Sequence, residues 1–129
     1  ASSAAANVPA KYLHAGVVSV YATMSLTVAL SAGDVLQFVK VPAGAQVLDV
    51  TFQNNEGAGN NYTFVVGDGL DDNRYVTSTS STGVVRAQAT TFPYSYSAED
   101  TVDITVGTVV SATATGSLGI TVYYVNDQR

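Results

Sequence analysis

The chain contains no cysteine and no tryptophan. Without cysteine there is no disulfide framework and no thiolate zinc site. That fits synthesis in a reducing compartment. Charge is also scarce: charged residues make up 12% of the 129, against roughly 25% in ordinary soluble domains. Much of the surface must therefore be Ser, Thr and backbone, a surface suited to lying against partners. The cations Lys11, Lys40, Arg74, Arg86 and Arg129 are scattered, and the net charge is −5. Nucleic-acid backbones need clustered positive charge, so no nucleic-acid partner is expected. There is one histidine, His14. Alone it builds no Ser-His-Asp or Cys-His device, and it reads as a surface or interface residue.

No apolar run approaches the roughly 20 residues of a membrane-spanning helix, so no membrane partner is expected. No basic n-region and h-region stand at the start. The opening Ala-Ser-Ser suits a cytosolic product that has lost its initiator Met, although a removed signal peptide would leave the same start.

What is present is alternation. In residues 17–28, Val18, Val20, Ala22, Met24, Leu26 and Val28 take one parity, and Ser19, Tyr21, Thr23, Ser25 and Thr27 the other. Side chains of a strand point alternately to its two faces, so a period of two marks a strand with one buried face. The pattern recurs and predicts eight strands, over 16–30, 35–41, 46–53, 62–66, 74–78, 84–89, 101–106 and 118–125. Pro42-Ala-Gly44, the loop 54–61 and the acidic turn 67–73 separate them. Leu48, Val50 and Phe52 are expected inward, with Asp49 and Thr51 outward. The predicted core is Val18, Val20, Met24, Leu26, Leu48, Val50, Phe52, Phe64, Val102, Ile104, Ile120 and Val122. With no segment of helical period, the fold class is all-β: one eight-stranded antiparallel sandwich, jelly-roll-like, over 16–129. A seven-stranded immunoglobulin-like sandwich is the alternative, but the Cys and Trp of its core are missing. Residues 1–15 have no period and read as an arm.

Candidate chemistry is thin. Asp68, Asp71, Asp72 and Asn73 are the densest oxygen cluster. A Ca²⁺ ion takes six to eight oxygen ligands, but the spacing is not that of an EF-hand. An acidic turn whose Asp side chains cap their own backbone explains the cluster as well. Glu56 and Glu99 fall in loops, and Asp49 and Asp103 on outward strand positions, so a glycosidase carboxylate pair is not indicated. The expectation is no enzyme, no cofactor and no metal. Of eight Tyr, Tyr94 and Tyr96 flank Ser95 in a loop, Tyr21 lies on a polar face, Tyr123 and Tyr124 point opposite ways, and Tyr124 is expected in the core. Exposed Tyr favours protein interfaces and can stack on sugars.

The stretch 33–52, Gly-Asp-Val-Leu-Gln-Phe-Val-Lys-Val-Pro-Ala-Gly-Ala-Gln-Val-Leu-Asp-Val-Thr-Phe, joins two apolar strands through Val-Pro-Ala-Gly-Ala. A second unit, 64–75, runs Phe-Val-Val-Gly-Asp-Gly-Leu-Asp-Asp-Asn-Arg-Tyr. With the closing strand 118–125, these resemble the capsid decoration, or cement, proteins of tailed bacteriophages. The resemblance covers 16–125 at the level of pattern. It implies a jelly-roll subunit on the outer capsid surface of a virion, made in the host cytoplasm. It also implies a homotrimer that holds neighbouring major capsid protein subunits together. A receptor- or glycan-binding module of a phage fibre or tail is the alternative, with Tyr94 and Tyr96 as its local candidates. Val8, Tyr12, Leu13 and His14 form an apolar-aromatic group before the first strand. With Tyr94 and Tyr96 they are the expected capsid or subunit contacts.

Overall fold

The computed structural model describes residues 16–56, 62–88, 91–110 and 115–126. The chain forms β1 (Val18–Ser25), β2 (Val35–Val41), β3 (Ala45–Glu56), β4 (Tyr62–Gly67), β5 (Val76–Thr79), β6 (Gly83–Arg86), β7 (Tyr94–Ser95), β8 (Asp100–Val109) and β9 (Gly116–Asn126). One sheet has the order β1-β9-β3-β6, with β7 also on β3, and the other has the order β2-β8-β4-β5. Every pairing is antiparallel. Apart from β7, these are eight strands in two four-stranded sheets, with the chain crossing between sheets at almost every connection. That is the jelly-roll arrangement. The eight-stranded expectation gains a ninth strand, two residues long, in the aromatic segment around Pro93.

The inward faces of both sheets meet in one core. Phe52 from β3 packs edge-on against Phe64 from β4, with ring centroids 5.5 Å apart. Val50, Val102, Ile104, Leu118, Ile120 and Val122 fill the space around them and are fully buried. Strand β9 pairs with β1 without a break in register. Val18, Val20 and Met24 are half-buried, because β1 lies at the rim of its sheet.

Three assignments are corrected, two of them inward. Leu48 is 37% exposed, while Val47 is fully buried. The β3–β9 register shifts between Val47 and Asp49, so one extra residue reverses the phase of β3 at that point. Val28 is 72% exposed. Strand β1 stops at Ser25, and after the Leu26 N–H bonds the Gly116 carbonyl the chain leaves the sheet. Only Leu26 and Leu30 of that segment tuck inward.

The third concerns Asp103, read as an outward, solvated residue. It is outward, paired with Gln37 and Gly67, but it is buried. The acidic turn after β4 folds back over Gly67, where a Cβ would run into the backbone of Asp71 and Asp72. Asp103 is the cross-strand partner of that same Gly67, which puts it beside the folded-back turn. The arm, residues 1–15, lies outside the described residues.

Candidate functional site

The acidic turn and β7 meet in one polar cluster inside the sandwich end. Asp68 follows β4 directly, and its side chain is completely buried. Its Oδ1 accepts the backbone N–H groups of Leu70 and Asp71, each at 3.0 Å. Its Oδ2 accepts Arg74 Nε at 2.6 Å and the Tyr96 hydroxyl at 2.8 Å. The Tyr75 and Tyr96 hydroxyl oxygens are 2.6 Å apart. Tyr96 has one proton and gives it to Asp68, so Tyr75 donates to Tyr96. The Arg74 guanidinium also lies 3.8 Å above the Tyr94 ring, and Tyr94 meets Tyr96 edge-on.

Burial pushes the Asp68 carboxyl up, but Arg74, Tyr96 and the two amides outweigh it and hold the group below its ordinary value. Burial pushes both phenols up, and for Tyr96 the bond from Tyr75 adds to the rise. Burial likewise lowers Arg74, and the Asp68 carboxylate more than restores it. The cluster is an internal ion pair fixed by two neutral phenols.

The carboxylate of Asp68 is engaged by donors of its own chain, and Asp71 accepts the Asn73 amide. The turn caps its own backbone, as the simpler reading of the acidic cluster has it. Among the described residues no group of three or more His, Asp or Glu side chains is placed to hold a metal ion. Tyr96 is buried, and its hydroxyl points inward, so it is not a surface contact. Its amide and carbonyl bond Ala45 and Gly44, which anchors β7 to the start of β3. Tyr94 is half-buried and lines an open cleft of about 320 Å³ between Gly69, Leu70 and the segment 95–100. With Arg74 over its ring and Tyr96 at its side, Tyr94 offers little free aromatic face to a sugar. Val8, Tyr12, Leu13 and His14 lie outside the described residues.

Arg74 was not singled out by sequence reasoning. The available signal was its position, the single cation at the end of an otherwise acidic turn.

The outer face of the larger sheet is a second surface. Tyr21, Thr121, Thr51 and Arg86 form one row across β1, β9, β3 and β6. Arg86 pairs with Asp49, so the visible charges on this face neutralise each other. A hollow of about 470 Å³ beside them is floored by Leu48, Ala87 and Phe92.

Asp103 stands apart from both. Burial raises its carboxyl above the ordinary value, the Thr101 hydroxyl opposes this with a 2.6 Å bond, and Asp100 and Asp68 add repulsion. An acid whose folded value is raised weakens the fold once it ionises, and the penalty fades as pH falls. Asp103→Asn keeps the shape and the acceptor for Thr101. It is expected to raise the melting temperature by a few degrees at pH 7, with the gain shrinking toward pH 4. Calorimetry at both values checks this.

No protein-family model matches the chain, and no curated protein does. Solved structures do. A chain in the "Cyanophage Pam1 capsid asymmetric unit" is 24% identical with a TM-score of 0.70, over 85% of this chain and 84% of that one. A chain in the "Capsid of Ralstonia phage GP4" is 20% identical with a TM-score of 0.69, over 89% and 88%. A chain in the "Acidic stable capsid structure of Helicobacter pylori bacteriophage KHP30" is 16% identical with a TM-score of 0.63, over 84% and 86%. The chain therefore shares its fold, over nearly its whole length, with chains found in three phage capsids.

Proposed function

We propose that this protein is a structural component of a phage virion, a decoration protein that sits on the outer capsid surface as a homotrimer and bridges major capsid protein subunits. The observation that carries the reading is the two-way coverage. The matched chains come from capsids, and the match takes in almost all of each partner, so it is the whole subunit that corresponds and not a shared module. The sequence units 33–52 and 64–75 point the same way. The geometry supports a protein that works by its surfaces. Its buried ion pair locks a loop, its exterior charges are few, and Tyr21, Thr121 and Thr51 share the outer face of the larger sheet. Closed symmetry covers such faces without open-ended association.

Light scattering on the purified protein is expected to give about three times the 13.3 kDa chain mass. Mixing with expanded, undecorated capsids is expected to saturate and to raise the temperature at which the shell breaks. A mass of one chain together with no sedimentation alongside capsids overturns the proposal. The arm carries part of the attachment: Val8, Tyr12, Leu13 and His14 contact the shell or a neighbouring subunit. Deleting residues 1–13 is expected to leave the sandwich folded and to lower capsid affinity by at least about tenfold, the equivalent of about 1.4 kcal/mol. Unchanged attachment would remove the arm from the mechanism.

A further inference from the structure

Four strands close the rims of the two sheets: β1 and β6 in one, β2 and β5 in the other. A rim strand shows a row of unpaired N–H and C=O groups to any passing chain. Native proteins blunt such rims by shortness, charge, proline or a bulge. Three of the four are blunted here. Strands β5 and β6 have four residues each, and β6 ends in Arg86. Strand β2 carries Lys40 and a register shift between Gln37 and Val39. Strand β1 has none of these devices. It is eight residues long with the sequence VSVYATMS, and its register runs unbroken from Val18↔Tyr124 to Ser25↔Ser117. Its inward side chains Val20, Ala22 and Met24 pack on the core yet are only partly buried. Among the described residues β1 is built as an interior strand with a neighbour on one side only.

We propose that residues 7–14 of a second copy of this chain add to β1 as an antiparallel strand. The sequence of that segment, Asn-Val-Pro-Ala-Lys-Tyr-Leu-His, matches the vacancy in length and in pattern. Residues 15–17 link it to its own β1 and span at most about 10 Å, so copies that exchange the segment must bring their Val18 ends close together. Running antiparallel from there, His14 stands opposite Val18 and Asn7 opposite Ser25. Val8, Ala10 and Tyr12 then share the inward face with Met24, Ala22 and Val20 and extend the core. Lys11 falls on the outward face beside Tyr21. A shift by one residue would turn Lys11 inward and Val8 and Tyr12 out, so the pattern selects this parity. The added strand becomes the new rim, and it carries what β1 lacks: Pro9, and Lys11 with its charge. Gly16 has φ +63°, so the extended run is broken where the chain must turn from one copy toward the next. The ring of three that this exchange closes rests on the trimer proposed above; the pairing itself does not.

The absence of cysteine makes the test clean. Lys11→Cys with Tyr21→Cys, and separately Pro9→Cys with Thr23→Cys, place two thiols directly opposite across the proposed pair. Facing residues of antiparallel strands are about 4.5–5.5 Å apart at Cα, within disulfide reach. Each double variant is oxidised without capsids and run on a denaturing gel. The expected result is that the majority of the chain runs as covalent dimer and trimer, collapsing to monomer with reductant. Lys11→Cys with Ser25→Cys, four positions out of register, is expected to cross-link far less. Monomer bands only, whether free thiols or an internal disulfide running ahead of the reduced chain, overturn the proposal. A melting curve under reductant that matches the parent shows the variants fold. Capsid attachment is read separately. Cross-linked trimers that never bind capsids leave the exchange standing and remove the decoration reading, and uncross-linked chains that bind capsids do the reverse.

Discussion

Replacing Asp68 by Ala is expected to lower the unfolding free energy by about 3–5 kcal/mol, the range for removing one partner of a buried ion pair. The Asp68 side chain is fully buried, and that of Arg74 is 17% exposed. Truncation leaves the guanidinium of Arg74 with only the Tyr94 ring beneath it. It also orphans the Tyr96 hydroxyl, which then has no carboxylate to donate to, and frees the amides of Leu70 and Asp71. The turn loses its closure over Gly67, and Asp103 regains access to water. Asp68→Asn is the informative companion, since it keeps the shape and one acceptor but abolishes the charge. It is expected to fall between the parent and Asp68→Ala. Urea unfolding of the three proteins measures the order, and an Asp68→Ala variant as stable as the parent would show that the cluster does not hold the turn.

The same pair sets an acid limit. The folded value of Asp68 lies below its ordinary one. An acid lowered in the folded state contributes stability that is fully present above its unfolded value, about pH 4, and lost as pH falls through the lower folded value. Asp103 acts with the opposite sign: its penalty fades as pH falls toward about 4, where the Asp68 contribution is still fully present. Below about pH 4 the loss from Asp68 dominates. The Asp68→Asn protein should therefore show a flatter stability curve there than the parent.

How far the sequence could be read depended on how local each cause was. The bounds of β2 follow from alternation and the turn chemistry of Pro42 and Gly44, and the structure keeps them. Strand β9 alternates from Leu118 to Val122, so Ile120 and Val122 are legible as core. The errors come from tertiary effects that leave no periodic trace. The register shift at Val47 and Asp49 is visible only once β9 lies alongside β3. Asp103 has the right parity for solvent yet is buried, and its cross-strand partner Gly67 is the residue over which the acidic turn folds back. Tyr96 reads as an interface residue because it sits beside Pro93 in a segment without period. Its partners Asp68 and Tyr75 are 28 and 21 residues away in the chain.

Strand β3 turns that lesson into a measurement. Phe52→Ala is expected to cost about 3–5 kcal/mol, from lost transfer energy and from the cavity left against Phe64. Phe52 is fully buried and carries the edge-on contact between the two sheets, so neither sheet can close the gap alone. Val47→Ala, on the far side of the register shift, removes a buried branched side chain and should cost about 1–3 kcal/mol. Leu48→Ala should cost under about 1 kcal/mol, although it deletes more carbon than the valine change, because Leu48 faces outward. An unbroken alternation through β3 predicts the reverse order for residues 47 and 48. Equilibrium unfolding of the three single variants distinguishes the two phases: a Leu48→Ala cost larger than that of Val47→Ala would put the extra residue elsewhere in the strand.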